Sequence, residues 1–380
     1  MFLKKEREKK WNRKNSRETE IAVHGDASLL ILENCFHNKK EGSLKHPAEV
    51  WIKIVTLRKS FVRMSGSSFG MPPSSIVDGF RMPHVFSAES FRSARQYQPR
   101  PDDVFIITYP KCGTTWVQQI IGLIYKLGEP CESSTELLGD FPFLELRGAK
   151  SAENMSRPGA IKTHLPFHLA PWSEQAKYIH IARNPKDCCV SYYYHHKSHV
   201  FTGTFDDFFE MFLSGDINFG DYFDHLLGWY EHRNDPNVLF LTYEEMKENP
   251  EVAVLKIAEF IDEKKYAEPL KTDPEKFNNV VKYSSFQHMK KVVNKGVDEN
   301  EKSNVSCKEK LSGEITNTSI QGKETDSEKQ NKSHMARLVR KGIVGDWRSH
   351  FSTEHSERLK QKFVERTKGT GIANIWEKYM

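Results

Sequence analysis

Cysteine is scarce in this 380-residue sequence: the six present (Cys35, Cys112, Cys131, Cys188, Cys189 and Cys307) form no C-x-x-C pair and no zinc-like spacing. That excludes a disulfide scaffold and points to reduced thiols in the cytoplasm. Long apolar runs are missing as well. None approaches the ~20 residues of a membrane span, and "ASLLIL", from Ala27 to Leu32, is too short even for the core of a secretory leader. Neither a membrane anchor nor a leader is expected. Strong charge of one sign is also absent. The net charge of +5 suits a small anionic ligand and gives little ground for a nucleic-acid partner. Internal repeats and heptads are lacking. So is the G-x-x-x-x-G-K-[ST] loop of triphosphate-binding proteins, with its acidic magnesium partner.

What is present is enough for one large α/β domain: 38% of residues are hydrophobic and 28% charged. Two segments stand apart from it. Residues 1–75 begin with the basic run "MFLKKEREKKWNRK" and end near "RMSGSSFGMPPSS", which has the Ser, Gly and Pro content of a linker. They are expected to form a poorly ordered extension. Residues 294–334 are polar and nearly free of large apolar side chains, so they are expected to be a mobile insertion. Between them, "DVFIITY", "KYIHIAR" and "NVLFLTY" read as buried strands. Each leads into a helical pattern: Thr115 to Leu127, Lys186 to Lys197, and Glu244 to Ile261. Strand–helix alternation predicts a central parallel sheet flanked by helices, with the ligand at the carboxyl ends of the strands.

The stretch "TYPKCGTTW", Thr108 to Trp116, lies at the first such end. Pro110 directs the chain out of the strand and Gly113 permits a tight turn. The amides of Gly113, Thr114 and Thr115 then open a helix, where free N–H groups and the dipole favour an anion. Trp116, Val117, Ile120, Ile121 and Ile124 recur at helical spacing and should face the sheet. Here the lysine precedes the glycine, which is the reverse of a triphosphate loop.

"YPKCGTTW", "AIKTHLPFHLAP", "IHIARNPKDCCVSYYYH", "LFLTYEEMKENP" and "RKGIVGDWRSHF" together, in this order, resemble the cytosolic sulfotransferase family. The resemblance implies a single P-loop-like α/β domain over residues 76–380, with a central parallel sheet of about five strands. It also implies 3′-phosphoadenosine 5′-phosphosulfate as co-substrate and no metal. In that reading His164 is the general base and Lys162 a transition-state partner. Lys111 meets the bridging oxygen of the leaving phosphate, and Cys112, Gly113, Thr114 and Thr115 hold the 5′-phosphate. Arg183, Ser191, Arg340, Lys341 and Gly342 match the 3′-phosphate segments, while Trp116, Tyr243, Ser284 and Phe286 match adenosine contacts. The expected acceptor is a small hydroxylated or amine compound such as a phenol, catechol or steroid. Pro142, Phe143, Phe167 and the "HVFTGTFDDFFEMF" stretch are candidates for its apolar pocket.

The chemistry is consistent with these residue types. A sulfuryl group carries less charge than a phosphoryl group, so a few cations can stabilise its transfer without magnesium, and an imidazole can remove the acceptor's proton. Two departures stand out. Cys112 replaces a small residue of the family loop: either it substitutes in size alone, or, beside Lys111 at a helix start, it gains a stabilised, reactive thiolate. The family's homodimer motif is degenerate here, as Arg348, Ser352, Thr353 and Glu357, with threonine in place of valine. Alternatives to the enzyme are a non-catalytic nucleotide-binding module, against which Lys111, Lys162 and His164 count, and a carbohydrate sulfotransferase, which needs an anchor. A nucleotide kinase is more distant, for want of a GK[ST] loop.

Overall fold

The computed structural model describes residues 72–130, 141–198, 201–292 and 339–380. The expected insertion, and the expected extension up to residue 71, lie outside the described residues. The extension was drawn too long at its far end, because an ordered strand already begins at Ser74.

In chain order the elements begin with a hairpin of β1 (Ser74–Val77) and β2 (Phe80–Pro83), followed by α1 (Ala88–Gln96). Next come β3 (Val104–Thr108), α2 (Thr114–Tyr125), α3 (Leu144–Arg147), α4 (Ala149–Glu153) and β4 (Ala160–Thr163). Strand β5 (Lys177–Ala182) leads into α5 (Pro185–Lys197), α6 (Phe205–Ser214) and α7 (Tyr222–Tyr230). Strand β6 (Val238–Thr242) is followed by α8 (Tyr243–Glu248), α9 (Pro250–Asp262), α10 (Glu268–Thr272), α11 (Pro274–Tyr283) and α12 (Thr353–Thr367).

Among the described residues the main sheet has four strands, all parallel, in the order β4-β3-β5-β6. Strand β3 is buried along its whole length, as a continuous apolar run demands of a strand covered on both faces. Side chains alternate between those faces. Val104, Ile106, Ile179, Ile181 and Leu241 join Val117, Ile120, Ile121 and Ile124 of α2 and Ile257 and Ile261 of α9 in one aliphatic core. Each fully buried Ile or Val stabilises the fold by roughly 1.5–3 kcal/mol. The opposite face is aromatic: Phe105 stacks on Tyr178 at 4.9 Å, Tyr178 on Trp172 at 4.7 Å, and His180 lies parallel to Trp229 of α7.

The three predicted strands are present. The fourth, β4, is only four residues long and carries a lysine, so it lacked a strand signature. The expected helix over Glu244 to Ile261 is two helices. Asn249 breaks α8, and Pro250, lacking an N–H, starts α9 where no donor is needed. The dimer-motif residues Arg348, Ser352, Thr353 and Glu357 are exposed, and Ser352 caps α12 by accepting the His355 N–H.

The chain passes from β3 to β4 on one side and then to β5 on the other, so the topology switches at the carboxyl end of β3. Such a point opens a crevice for a ligand. All four strands end there in site residues.

Candidate active site

The loop after β3 is held open by backbone conformation. Lys111 and Gly113 both have positive φ, 71° and 107°. For lysine this is a strained conformation. Gly113 caps α2 without a side chain, so nothing from the cap residue occupies the first amides of the helix. A Cβ on Gly113 would lie 3.0 Å from the Tyr243 ring. Thr114 is buried, with its Oγ1 2.7 Å from Thr108 Oγ1, while Thr115 is half-buried.

The surroundings of Cys112 favour the reading in which it substitutes in size alone. Its amide donates to the Tyr109 carbonyl at 3.2 Å, so it is not a free anion donor. Its side chain is fully buried, with Sγ 3.7 Å from Cys188 Sγ. Burial, with Cys188 alongside, pushes the thiol well above its ordinary pKa. Desolvation outweighs the helix terminus and favours the thiol over the thiolate.

Strand β4 delivers Lys162 and His164. The Lys162 amide donates to the Pro142 carbonyl at 2.9 Å, and its ammonium sits 4.1 Å from the Phe143 ring centroid. His164 Nδ1 is 2.7 Å from the Thr108 carbonyl oxygen. A carbonyl only accepts, so Nδ1 carries the hydrogen and Nε2 keeps a lone pair. Burial, then the Lys162 charge, lowers the imidazole pKa to about 3 against the Thr108 bond, so it is neutral at pH 7. The edges of Phe143 and Phe219 approach the His164 ring at 5.0 and 5.2 Å, and Phe86 meets both.

Arg183, just past β5, joins three segments. It donates to the carbonyls of Lys111 (3.1 Å) and Ile343 (3.3 Å), and its guanidinium lies 4.3 Å from the centre of the Tyr243 ring. Its Nε is buried without a partner. Ser191 is half-buried on α5, two turns from the start of that helix. Arg340 and Lys341 both donate to Asp346, at 2.5 and 2.8 Å, so an internal carboxylate orders this pair. Gly342 has φ 63°, and a Cβ there would fall 2.1 Å from the Phe286 ring. Trp116 meets Tyr243 edge-on at 5.4 Å, and Lys247 lies between Trp116 and Phe286, 5.6 and 5.9 Å from their centroids. Ser284 is buried at the end of α11, with its hydroxyl on the Val281 carbonyl.

The electrostatics are those of an anion site. Burial and the neighbouring charges of Arg183, Lys162 and Arg340 bring Lys111 down to about 8. Lys162 also falls to about 8, through burial that the Glu145 charge partly opposes. Among the described residues, no carboxylate forms an ion pair with Lys111 or Lys162. The orphaned Arg183 Nε and the glycine-lined loop fit an adenosine phosphate with more than one anionic group.

A family model described as a sulfotransferase domain matches residues 101–318 and 304–371. The chain belongs to the sulfotransferase family. Over 307 residues it is 35% identical to Sulfotransferase 1 family member D1 of Rattus norvegicus, covering 77% of this chain and 92% of the relative. It is 36% identical over 289 residues to amine sulfotransferase of Oryctolagus cuniculus, covering 74% and 86%. The structure of mouse sulfotransferase SULT7A1 complexed with PAP matches with a TM-score of 0.59 and 25% identity, covering 80% of this chain and 98% of that one. In this sulfotransferase Lys111, Lys162, His164, Arg183 and Tyr243 lie near one another.

The pocket assignments need revision. Phe143 does flank His164, but Phe167 stacks on His232 at 3.6 Å within the Trp172–Trp229 cluster. The rings of α6 pack inward: Phe209 against His355 and Phe351, and Phe212 against Tyr109. The sequence reading missed Thr108, Glu145, Phe86, Phe219, Lys247 and Asp346. Of these, Thr108, Lys247 and Asp346 lay within the recognised stretches "TYPKCGTTW", "LFLTYEEMKENP" and "RKGIVGDWRSHF", whereas Phe86, Glu145 and Phe219 lay outside all of them.

Proposed function

We propose that this sulfotransferase transfers a sulfuryl group from 3′-phosphoadenosine 5′-phosphosulfate to the hydroxyl or amine of a small apolar acceptor, such as a phenol, catechol or steroid. The observation carrying this reading is the meeting of a glycine-turned helix start, Lys111, Lys162 and Arg183 with a neutral His164 whose Nε2 is an acceptor. The donor supplies an activated sulfuryl group and a good leaving phosphate. Open amides of the α2 start and Lys111 hold the 5′-side, while Arg183, Ser191, Arg340, Lys341 and Gly342 hold the 3′-phosphate. Trp116, Tyr243, Ser284 and Phe286 enclose the adenosine.

His164 Nε2 takes the acceptor's proton as the acceptor oxygen or nitrogen bonds to sulfur. The bond from sulfur to the bridging oxygen breaks, and its electron pair leaves on the phosphate, where Lys111 and Lys162 stabilise the charge. Phe86, Phe143 and Phe219 supply apolar ring surface beside the base, which favours flat, apolar acceptors. Amines belong in the range because one relative is an amine sulfotransferase. The resemblance to cytosolic sulfotransferases supports a cytoplasmic location; among the described residues no helix is long and apolar enough to cross a membrane.

The test is transfer of labelled sulfate from the donor to a panel of phenols, catechols, steroids and amines, with and without chelator. Transfer to a flat phenol or steroid supports the assignment; no transfer to any member, with the donor product still bound tightly, would leave a non-catalytic binding module. His164→Ala should lower the rate by roughly 10²–10⁴ and leave donor affinity nearly unchanged.

A further inference from the structure

Glu145, in α3, is a fully buried carboxyl group with no part in the transfer scheme. Its Oε1 accepts the main-chain N–H of His164 at 2.5 Å, across nineteen residues of sequence. Its Oε2 is buried and meets no hydrogen-bond partner, and burial raises the carboxyl pKa to about 7 although the His164 and Glu145 amides and the Thr163 side chain oppose the shift. A carboxylate with one unsatisfied oxygen is costly in a dry interior, and an apolar side chain would fill the same volume without that cost. What it fixes is specific. The two residues that precede α3 hold the other side of the same strand end, through the Pro142 carbonyl on the Lys162 amide and the Phe143 ring against both Lys162 and His164.

We propose that Glu145 is a positioning residue of the transfer reaction: by anchoring the main chain of His164 beyond β4, it sets the place of the imidazole relative to the acceptor. The inference rests on His164 being the base. His164 is tied twice, through its ring to Thr108 and through its amide to Glu145. Thr108 fixes the tautomer, and Glu145 fixes where the residue that carries the ring begins. Lys162 feels the same carboxylate as a favourable charge. Glu145→Gln removes that charge and keeps the acceptor, so it separates the effect on Lys162 from the anchoring of His164.

The experiment compares the full-length enzyme with Glu145→Ala, Glu145→Gln, His164→Ala and the Glu145→Ala/His164→Ala double variant. It measures kcat, acceptor KM and the affinity for 3′-phosphoadenosine 5′-phosphate. Glu145→Ala should lower kcat by roughly 10²-fold, the scale of a misplaced reacting group, with affinity for the nucleotide within about twofold. Glu145→Gln, whose amide oxygen still accepts the His164 N–H, should recover most of that rate. In the double variant the alanine at 145 should add no more than the small loss that Glu145→Gln, which removes the charge but keeps the acceptor, shows by itself. Losses that multiply, or a fall in nucleotide affinity as large as the fall in kcat, would reduce Glu145 to a residue that merely holds the fold. If His164→Ala keeps its rate, the base assignment fails first and this inference with it. Glu145→Asp, one methylene shorter, carries the same comparison should the alanine variant not fold.

Discussion

The imidazole of His164 donates from Nδ1 to the carbonyl oxygen of Thr108, the last residue of the neighbouring strand, at 2.7 Å. This bond fixes the tautomer and ties the imidazole to the sheet instead of to a loop side chain. In the free enzyme, nitrogen NMR of His164 should therefore show a protonated Nδ1 and an unprotonated Nε2 throughout pH 5–8. Burial and Lys162 hold its pKa near 3. A titration midpoint between pH 6 and 7 would contradict the packing argument.

Donor affinity should depend on the two lysines. Both sit below the usual lysine range, near 8, because burial and neighbouring cations oppose their charge. As pH rises through 8 they lose protons, and a multiply anionic nucleotide loses its partners. Affinity for 3′-phosphoadenosine 5′-phosphate should be level below about pH 7 and fall by roughly tenfold or more by pH 9.5. Lys111→Arg, which stays charged, should flatten that fall in calorimetric titrations.

Arg183→Ala should weaken the same nucleotide by about 1.5–3 kcal/mol, the loss of a charge-assisted contact to the 3′-phosphate. The comparison ligand is adenosine 5′-phosphate, which lacks that group. Parent and variant should bind it more nearly alike. Equal losses for both ligands would mean that Arg183 serves the loop and Ile343 carbonyls it already touches.

Cys112 should be slow to react. Its buried sulfur beside Cys188 favours the thiol, so iodoacetamide at pH 7.5 should label the folded protein at Cys112 only as fast as it unfolds. Cys112→Ser should keep donor affinity. Rapid labelling at Cys112 that bound nucleotide prevents would restore the reactive-thiolate expectation.

Much of the site was legible because its signals are local. A buried apolar run, a proline and glycine at its end and an isoleucine-spaced helix fix a strand–turn–helix cradle whatever surrounds it. His164, Lys162 and Arg183 stood out only together, as segments in a recognisable order. Local signals also misled where length was short: β4 has four residues and a half-buried lysine, and its strand identity comes from pairing with β3.

The sequence by itself determined the chemical inventory of this protein: an anion cradle, several cations, a histidine two residues after a lysine and no cysteine framework. Tertiary structure alone decided how those groups are tuned. Thr108 and His164 are 56 residues apart in the chain, yet their contact sets which imidazole nitrogen can take a proton. Cys112 stands beside a lysine at a helix start in sequence, but the fold buries its sulfur against Cys188, 76 residues away. Glu145 reaches the His164 amide only because α3 packs beside β4. Protonation state, burial and orientation depend on what lies within a few ångströms, and in a crossed-over parallel sheet those neighbours come from distant parts of the chain.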